Sequence, residues 1–179
     1  RNMATIGGNL CQGDPLTDPG ASLIVLDATV ELQSAKGKRT LSLEDFFVDY
    51  YETALGPGEL LTEIRLPPLK PGLRWAHIKF TPRSVEDFAT IGVALPIEVR
   101  DGGCTDLRLA LNSAGPKIFR ARSAEEALRG QKITDGLVRD MAELAAKESD
   151  PIDDNRGSAD YKREMVKVMV RRATAQALA

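Results

Sequence analysis

The sequence predicts an α+β protein in two parts, with strands concentrated early and helices late. Three observations carry that expectation. Between residues 29 and 112 apolar and polar residues alternate in short runs, as half-buried strands require. Pro67-Pro68-Leu69-Lys70-Pro71-Gly72 then interrupts those runs with a segment that can neither continue a helix nor sit inside a sheet. Beyond residue 122 the apolar positions change to helical spacing. Strands followed by helices give a layer in which helices cover one face of an antiparallel sheet.

The elements follow in order. Asp18-Pro19 reads as a helix start, a carboxylate N-cap with proline at the first helical position, before Ala21, Leu23, Ile24, Leu26 and Asp27. Thr29 to Gln33 is a strand with Val30 and Leu32 on one face, Ala35 to Lys38 a turn, and Arg39 to Leu41 the return strand. Ser42 and Asp45 resemble a capping box ahead of Phe46-Phe47. After Gly56-Pro57-Gly58, Leu60 to Leu66 alternates as a strand.

In the second part Trp75–Phe80, Thr90–Val99 and Thr105–Asn112 are expected to form a three-stranded antiparallel sheet. Asp101-Gly102-Gly103 supplies the hairpin between the last two, and Pro96 suggests that the middle strand is an edge or carries a bulge. Ser123 and Glu126 read as a capping box for a helix ending at Gly130. Thr134 caps a second helix that buries Leu137, Val138, Met141, Leu144 and Ala145. After a polar loop, Pro151 to Gly157, Ser158 opens a long helix with Tyr161, Met165, Val168, Met169 and Ala173 at helical spacing.

Composition limits the function classes. The 179 residues are 42% hydrophobic and 28% charged, with a formal net charge of −2, which argues against nucleic acid as the main partner. No apolar run approaches the roughly 20 residues that span a bilayer. Cys11 and Cys104 lie far apart and form no CxxC pattern, so reduced thiols in a cytoplasmic protein are expected. His77 is the only histidine and no nucleophile motif points to it, so no catalytic residue is assigned. Asp150, Asp153 and Asp154 lack the spacing of a calcium loop and read as a solvated acidic loop, so no metal site is assigned. Asp153, Arg156 and Tyr161 are expected to organise the last helix or a subunit contact.

The segment richest in chemistry is Thr5-Ile6-Gly7-Gly8-Asn9. Adjacent glycines let a backbone approach an anion closely and adopt φ values closed to other residues, and Thr5 and Asn9 flank them with short polar side chains. A glycine-rich phosphate loop ordinarily follows a strand, and none precedes this one. Arg1-Asn2-Met3 reads as neither a translation start nor a signal peptide, so a piece of a longer polypeptide is expected.

A wider pattern surrounds that segment: Arg1-Asn2-x-Ala4-Thr5 through Asn9, Asp14-Pro15-Leu16-Thr17-Asp18, Glu59-Leu60-Leu61-Thr62, Lys79, Arg83, Asp87-Phe88-Ala89, and Asp153-x-x-Arg156-x-Ser158-Ala159-x-Tyr161-x-Arg163. In order and over essentially the whole chain, it resembles the FAD-binding (medium) subunit or domain of the molybdenum hydroxylase family, of carbon monoxide dehydrogenase and xanthine dehydrogenase type. The resemblance implies that residues 1–66 are the second lobe of a two-lobed FAD-binding domain lacking its N-terminal lobe. It makes 67–72 a linker and 73–179 the C-terminal α+β domain. It implies that Thr5, Ile6, Gly7, Gly8 and Asn9 hold the FAD pyrophosphate, that Asp18 helps order the cofactor, and that Leu61 makes an apolar contact with it. Lys79 would approach the flavin ring, where a cation stabilises the reduced anion. The implied activity is that of an FAD-dependent oxidoreductase component, passing electrons from iron–sulfur clusters through FAD to an external acceptor, the fragment alone being inactive. Molybdopterin and the 2Fe-2S centres are then expected only in partner subunits of a hetero-oligomer, an iron–sulfur subunit and a molybdopterin subunit. The alternative is a flavin-free scaffold module for subunit assembly; a different flavoenzyme sharing only the FAD lobe is disfavoured by the Arg156-to-Arg163 pattern.

Overall fold

The computed structural model describes residues 3–84 and 87–179. Arg1 and Asn2, which head the opening pattern, lie outside the described residues. The chain begins with α1 (Ile6–Gln12) and α2 (Asp18–Val25). The hairpin β1 (Thr29–Ser34) and β2 (Gly37–Ser42) follows, then the single turn α3 (Leu43–Phe46) and the short pair β3 (Phe47–Asp49) and β4 (Glu52–Thr53). Strand β5 (Leu60–Arg65) returns to pair with β1, giving an antiparallel sheet of order β2-β1-β5. The Ser42 cap forms as expected, with Ser42 Oγ accepting from the Asp45 N–H at 3.0 Å. Val30 and Leu32 turn one face of the sheet into a core with Ile24, Val25, Leu43 and Phe46.

The second part holds β6 (Leu73–Phe80), β7 (Ile91–Arg100), β8 (Gly103–Leu107), β9 (Ala110–Asn112) and β10 (Phe119–Arg120). The helices α4 (Arg122–Leu128), α5 (Asp135–Glu148) and α6 (Ala159–Leu178) complete it. The three expected strands are the body of the sheet, which extends further: its path is β10-β9-β7-β6, with β8 also on β7. The run expected as one strand from Thr105 to Asn112 is split in two, because β8 and β9 pair with different stretches of β7. Asp101 and Gly102, at φ 50° and 75°, make the type of tight hairpin whose two central residues both have positive φ.

That split also accounts for Pro96. The expectation of an edge does not hold, since β7 is central, with Trp75 opposite Pro96 on β6; the strand does carry a register shift, at Glu98/Val99 rather than at Pro96. The carbonyl of Pro96 accepts from the Arg108 N–H at 3.1 Å, so its nitrogen faces the same side, towards the gap between β8 and β9. A proline is tolerated there because its neighbour is interrupted where the missing N–H would have donated.

Alternation decides what each face of the second sheet meets. Ile91, Val93, Leu95 and Ile97 of β7 face α4, α5 and α6 in the main core. Ala94 and Ala110, on the opposite face, join the core of the first part together with Ile118. Their small side chains let α2 pack closely on β7 and β9, so the sheet is covered on its second face as well.

Two helix readings shift. Ser123 and Glu126 do not cap α4, which starts at Arg122 with Ala121 before it; the Ala124 N–H is satisfied instead by Glu148 of α5 at 3.2 Å. Thr134 and Ser158 do cap α5 and α6, accepting from Leu137 and Tyr161 N–H groups. On α6 the fully buried stripe is Val166, Met169, Val170, Ala173 and Ala177, with Lys162 at its head, while Tyr161 is exposed.

Candidate functional site

Thr5 to Asn9 is not a loop but the cap and first turn of α1. Thr5 Oγ1 accepts from the Gly8 N–H at 3.0 Å, and the Thr5 carbonyl accepts from the Asn9 N–H at 3.0 Å. Neither Gly7 nor Gly8 has a positive φ; the left-handed residue is Gly13, at 66°, which ends the helix. Gly8 acts through missing volume instead: a Cβ there would stand 3.0 Å from Thr5 Oγ1 and press on the cap, whereas a Cβ on Gly7 would make an ordinary 3.7 Å contact with Leu61 Cδ2. With the Gly8 and Asn9 N–H groups taken by Thr5, the donors left at this end are those of Ile6 and Gly7, since the first N–H groups of a helix have no acceptor inside it. Ile6 and Gly8 are exposed, and Asn9 Oδ1 is buried without a partner among the described residues.

Asp18 lies one residue inside α2, whose N-cap is Thr17; proline still falls in the first turn. Freed from capping, the Asp18 carboxylate accepts from Lys79 Nζ at 2.8 Å. The lysine side chain is largely covered, at 22% exposure, so it is no solvated strand lysine. The pair joins the first turn of α2 to β6 of the second sheet, two sequence candidates brought together across 61 positions. Leu61 is likewise placed against the α1 turn.

The remaining sequence candidates take structural places. Both cysteines are free, and burial pushes each thiol up, Cys104 to about 11, so neither is poised as a nucleophile. His77 is exposed on β6. Asp153 Oδ1 accepts from the Ala159 N–H at 2.6 Å and so helps start α6, as its place in the pattern suggested. Asp154 binds the buried Lys162 at 2.8 Å and Arg156 at 3.3 Å, and the Arg156 guanidinium lies over the Phe88 ring.

Sequence reading missed Thr90, Asn112 and Ser113. All are buried, and their side-chain polar atoms have no partner among the described residues. Ser113 also has a φ of 63°, and its N–H donates to the Pro15 carbonyl at 2.8 Å, tying the end of β9 to the loop before α2. The available signal was a polar residue at each end of an otherwise apolar strand run, Thr90 before Ile91 and Asn112 after Leu111.

Helix α2 carries the carboxylate of the Asp18–Lys79 pair and packs on α1 and on the second sheet, where the two parts meet. Residues 1–69 match the FAD binding domain in molybdopterin dehydrogenase, and residues 76–177 match the CO dehydrogenase flavoprotein C-terminal domain. The chain belongs to this family, the FAD-binding medium subunits of the molybdenum hydroxylases. It is 38% identical to the glyceraldehyde dehydrogenase medium chain of Sulfolobus acidocaldarius, over 97% of this chain and 61% of that one. It is 35% identical to the carbon monoxide dehydrogenase medium chain of Hydrogenophaga pseudoflava, over 97% of this chain and 60% of that one. A solved carbon monoxide dehydrogenase from Hydrogenophaga pseudoflava, lacking the Mo-pyranopterin moiety, superposes with a TM-score of 0.96 at 38% identity, covering 99% of this chain and 62% of that one. The chain thus spans about three fifths of the length of these relatives.

Proposed function

We propose that this chain is part of the flavin-holding subunit of a molybdenum-containing hydroxylase or dehydrogenase. In this reading residues 1–66 form one wall of the FAD site, 67–72 a linker and 73–179 the C-terminal domain. The observation that carries it is the Asp18–Lys79 pair, since two positions assigned to the cofactor by resemblance meet at 2.8 Å where the two parts join.

The residues present suit the group. The exposed first turn of α1 offers N–H donors to a pyrophosphate, with a dipole of the favourable sign, and Gly8 keeps bulk away from it. Asn9 Oδ1 is a buried acceptor without a partner among the described residues, and Leu61 gives the turn an apolar floor. Lys79 holds a positive charge in a largely covered place, and Asp18 fixes where that charge stands. FAD, when bound, supplies the electron exchange between iron–sulfur centres and an external acceptor. The side chains bind and orient it and set the charge around it. Iron–sulfur and molybdopterin partner subunits, in a cytoplasmic hetero-oligomer, complete the proposal. Among the described residues no helix is long and apolar enough to cross a membrane.

The test is flavin retention by the longest natural polypeptide that contains this sequence. Purified protein should be yellow, and Gly8→Val should release the flavin while leaving the far-ultraviolet circular dichroism unchanged. A colourless protein that cannot be reconstituted with FAD would instead support the flavin-free scaffold.

A further inference from the structure

Lys79, Gly92 and Asn112 stand side by side on three neighbouring strands, with Gly92 opposite Lys79 on one side and opposite Asn112 on the other. Cross-strand partners share a face, so the side chains of Lys79 and Asn112 rise on the same side of the sheet, the side that α2 covers. Gly92 has no side chain between them. A Cβ at Gly92 would stand inside the Asn112 amide, which therefore lies over the glycine and leans towards the lysine. Lys79 leans the opposite way, since its ammonium reaches Asp18 on α2. The two side chains thus flank one glycine on the face that α2 covers.

Asn112 is only 1% exposed, and neither its Oδ1 nor its Nδ2 has a partner among the described residues. Thr90, two residues before Gly92 and so on the same face, is equally buried, with its Oγ1 also unpartnered. A buried amide with both ends unsatisfied is costly, and such groups persist where a water or a neighbouring charge completes them. An ammonium has three donors, so a lysine that binds Asp18 can serve other acceptors at the same time.

We infer that Asn112 is a positioning residue for Lys79. Its amide oxygen, through an ordered water shared with Thr90, fixes the ammonium from the sheet side while Asp18 fixes it from α2. Gly92 is glycine because any side chain there would displace this amide. The inference rests on reading Lys79 as part of the flavin site, but its geometry does not involve the flavin.

The experiment has two independent readouts. In flavin-free protein, thermal unfolding is measured for Asn112→Leu, Lys79→Met and the double variant. Coupled side chains give a double variant whose shift departs from the sum of the singles. In flavin-loaded protein, Asn112→Leu should weaken FAD retention about tenfold, the worth of one hydrogen bond of ordinary strength, and Asn112→Asp, which keeps an acceptor, should restore it. Additive unfolding shifts together with unchanged retention would overturn the inference and make Asn112 a polar core residue only. If Asn112→Leu fails to fold, Asn112→Ser and Asn112→Asp enter the same cycle. Wild-type protein that never binds FAD would remove the flavin reading, while the unfolding cycle would still decide the role of Asn112.

Discussion

The two parts of this protein differ in how deeply they bury paired charge. Around β1 and β5, Glu31, Lys38, Glu63 and Arg65 pair along the outer face of the first sheet, and Arg39 grips Glu59 across the neighbouring loop. Although Glu31 is itself nearly buried, every one of these pairs keeps at least one partner well exposed to water. In the second part exposed pairs such as Arg100–Glu98 recur, but two charges also go inside. Glu125 is 1% exposed, and it accepts from Arg120 Nε and Nη2, each at 2.7 Å, and from the Leu109 N–H at 2.9 Å. Lys162, 2% exposed, donates to the Ile152 carbonyl and to Asp154. The same residue types are therefore surface trim in one region and joints in the other, because solvent screening decides what a pair is worth.

Glu125 gives the sharpest way to break that comparison. Replacing it with alanine strands a nearly buried Arg120 and the amide of Leu109, and stability should fall by about 3–5 kcal/mol in urea unfolding. A loss no larger than that of an exposed pair would show that burial does not divide the two regions. Arg120 also reaches Asp27 of the first part, so the damage should extend to the packing between the parts.

Glu125 also shows where sequence reading stops. Period and punctuation made β1, β5, β6, β7, α5 and α6 legible, together with the hairpin at Asp101-Gly102 and the caps at Thr134 and Ser158, because those signals are local. Ser123 and Glu126 satisfied the same local rule at α4 and failed, since Glu148 from another helix reaches the open N–H. Pro96 misled because only the sheet order reveals that its neighbour is interrupted. Thr5 and Gly13 carried a readable cap at each end of a short helix, which the adjacent glycines disguised as a loop. For the site, the residues were legible singly by resemblance. That Asp18 meets Lys79 depends on which helix lies over which strands, and no local pattern encodes that.

Lys162 tests the second buried charge with a smaller expected effect. Lys162→Met keeps the volume of the stem but leaves the Ile152 carbonyl without its donor and Asp154 with Arg156 alone. Asp154 is itself partly exposed, so water recovers part of the loss, and a cost of about 2 kcal/mol is expected from the same unfolding measurement. Hydrogen exchange should place the weakening at the start of α6 and the loop before it, not in the first sheet. Uniform loss across both sheets would mean that this joint holds more than its own helix.

Glu59 sharpens the comparison from the exposed side, where the effect should be smallest. It accepts from Arg39 Nε at 2.7 Å and Nη2 at 2.6 Å, and from the Gly56 N–H at 2.7 Å. Arg39 first, and the Gly56 amide next, hold its carboxyl down to about 2 from an ordinary value of 4.5. A folded value below the unfolded one means that the stabilisation is fully present above the ordinary value and is lost as pH falls through about 2. The stability gap between wild type and Glu59→Gln should therefore be constant near neutrality and close as the solution is acidified through that window. Because Arg39 is half exposed, added salt should narrow the gap at neutral pH, whereas the loss from Glu125→Ala should barely respond to salt. Equal salt sensitivity in the two variants would contradict the division drawn between the exposed and the buried pair, since screening is the physical difference on which it stands.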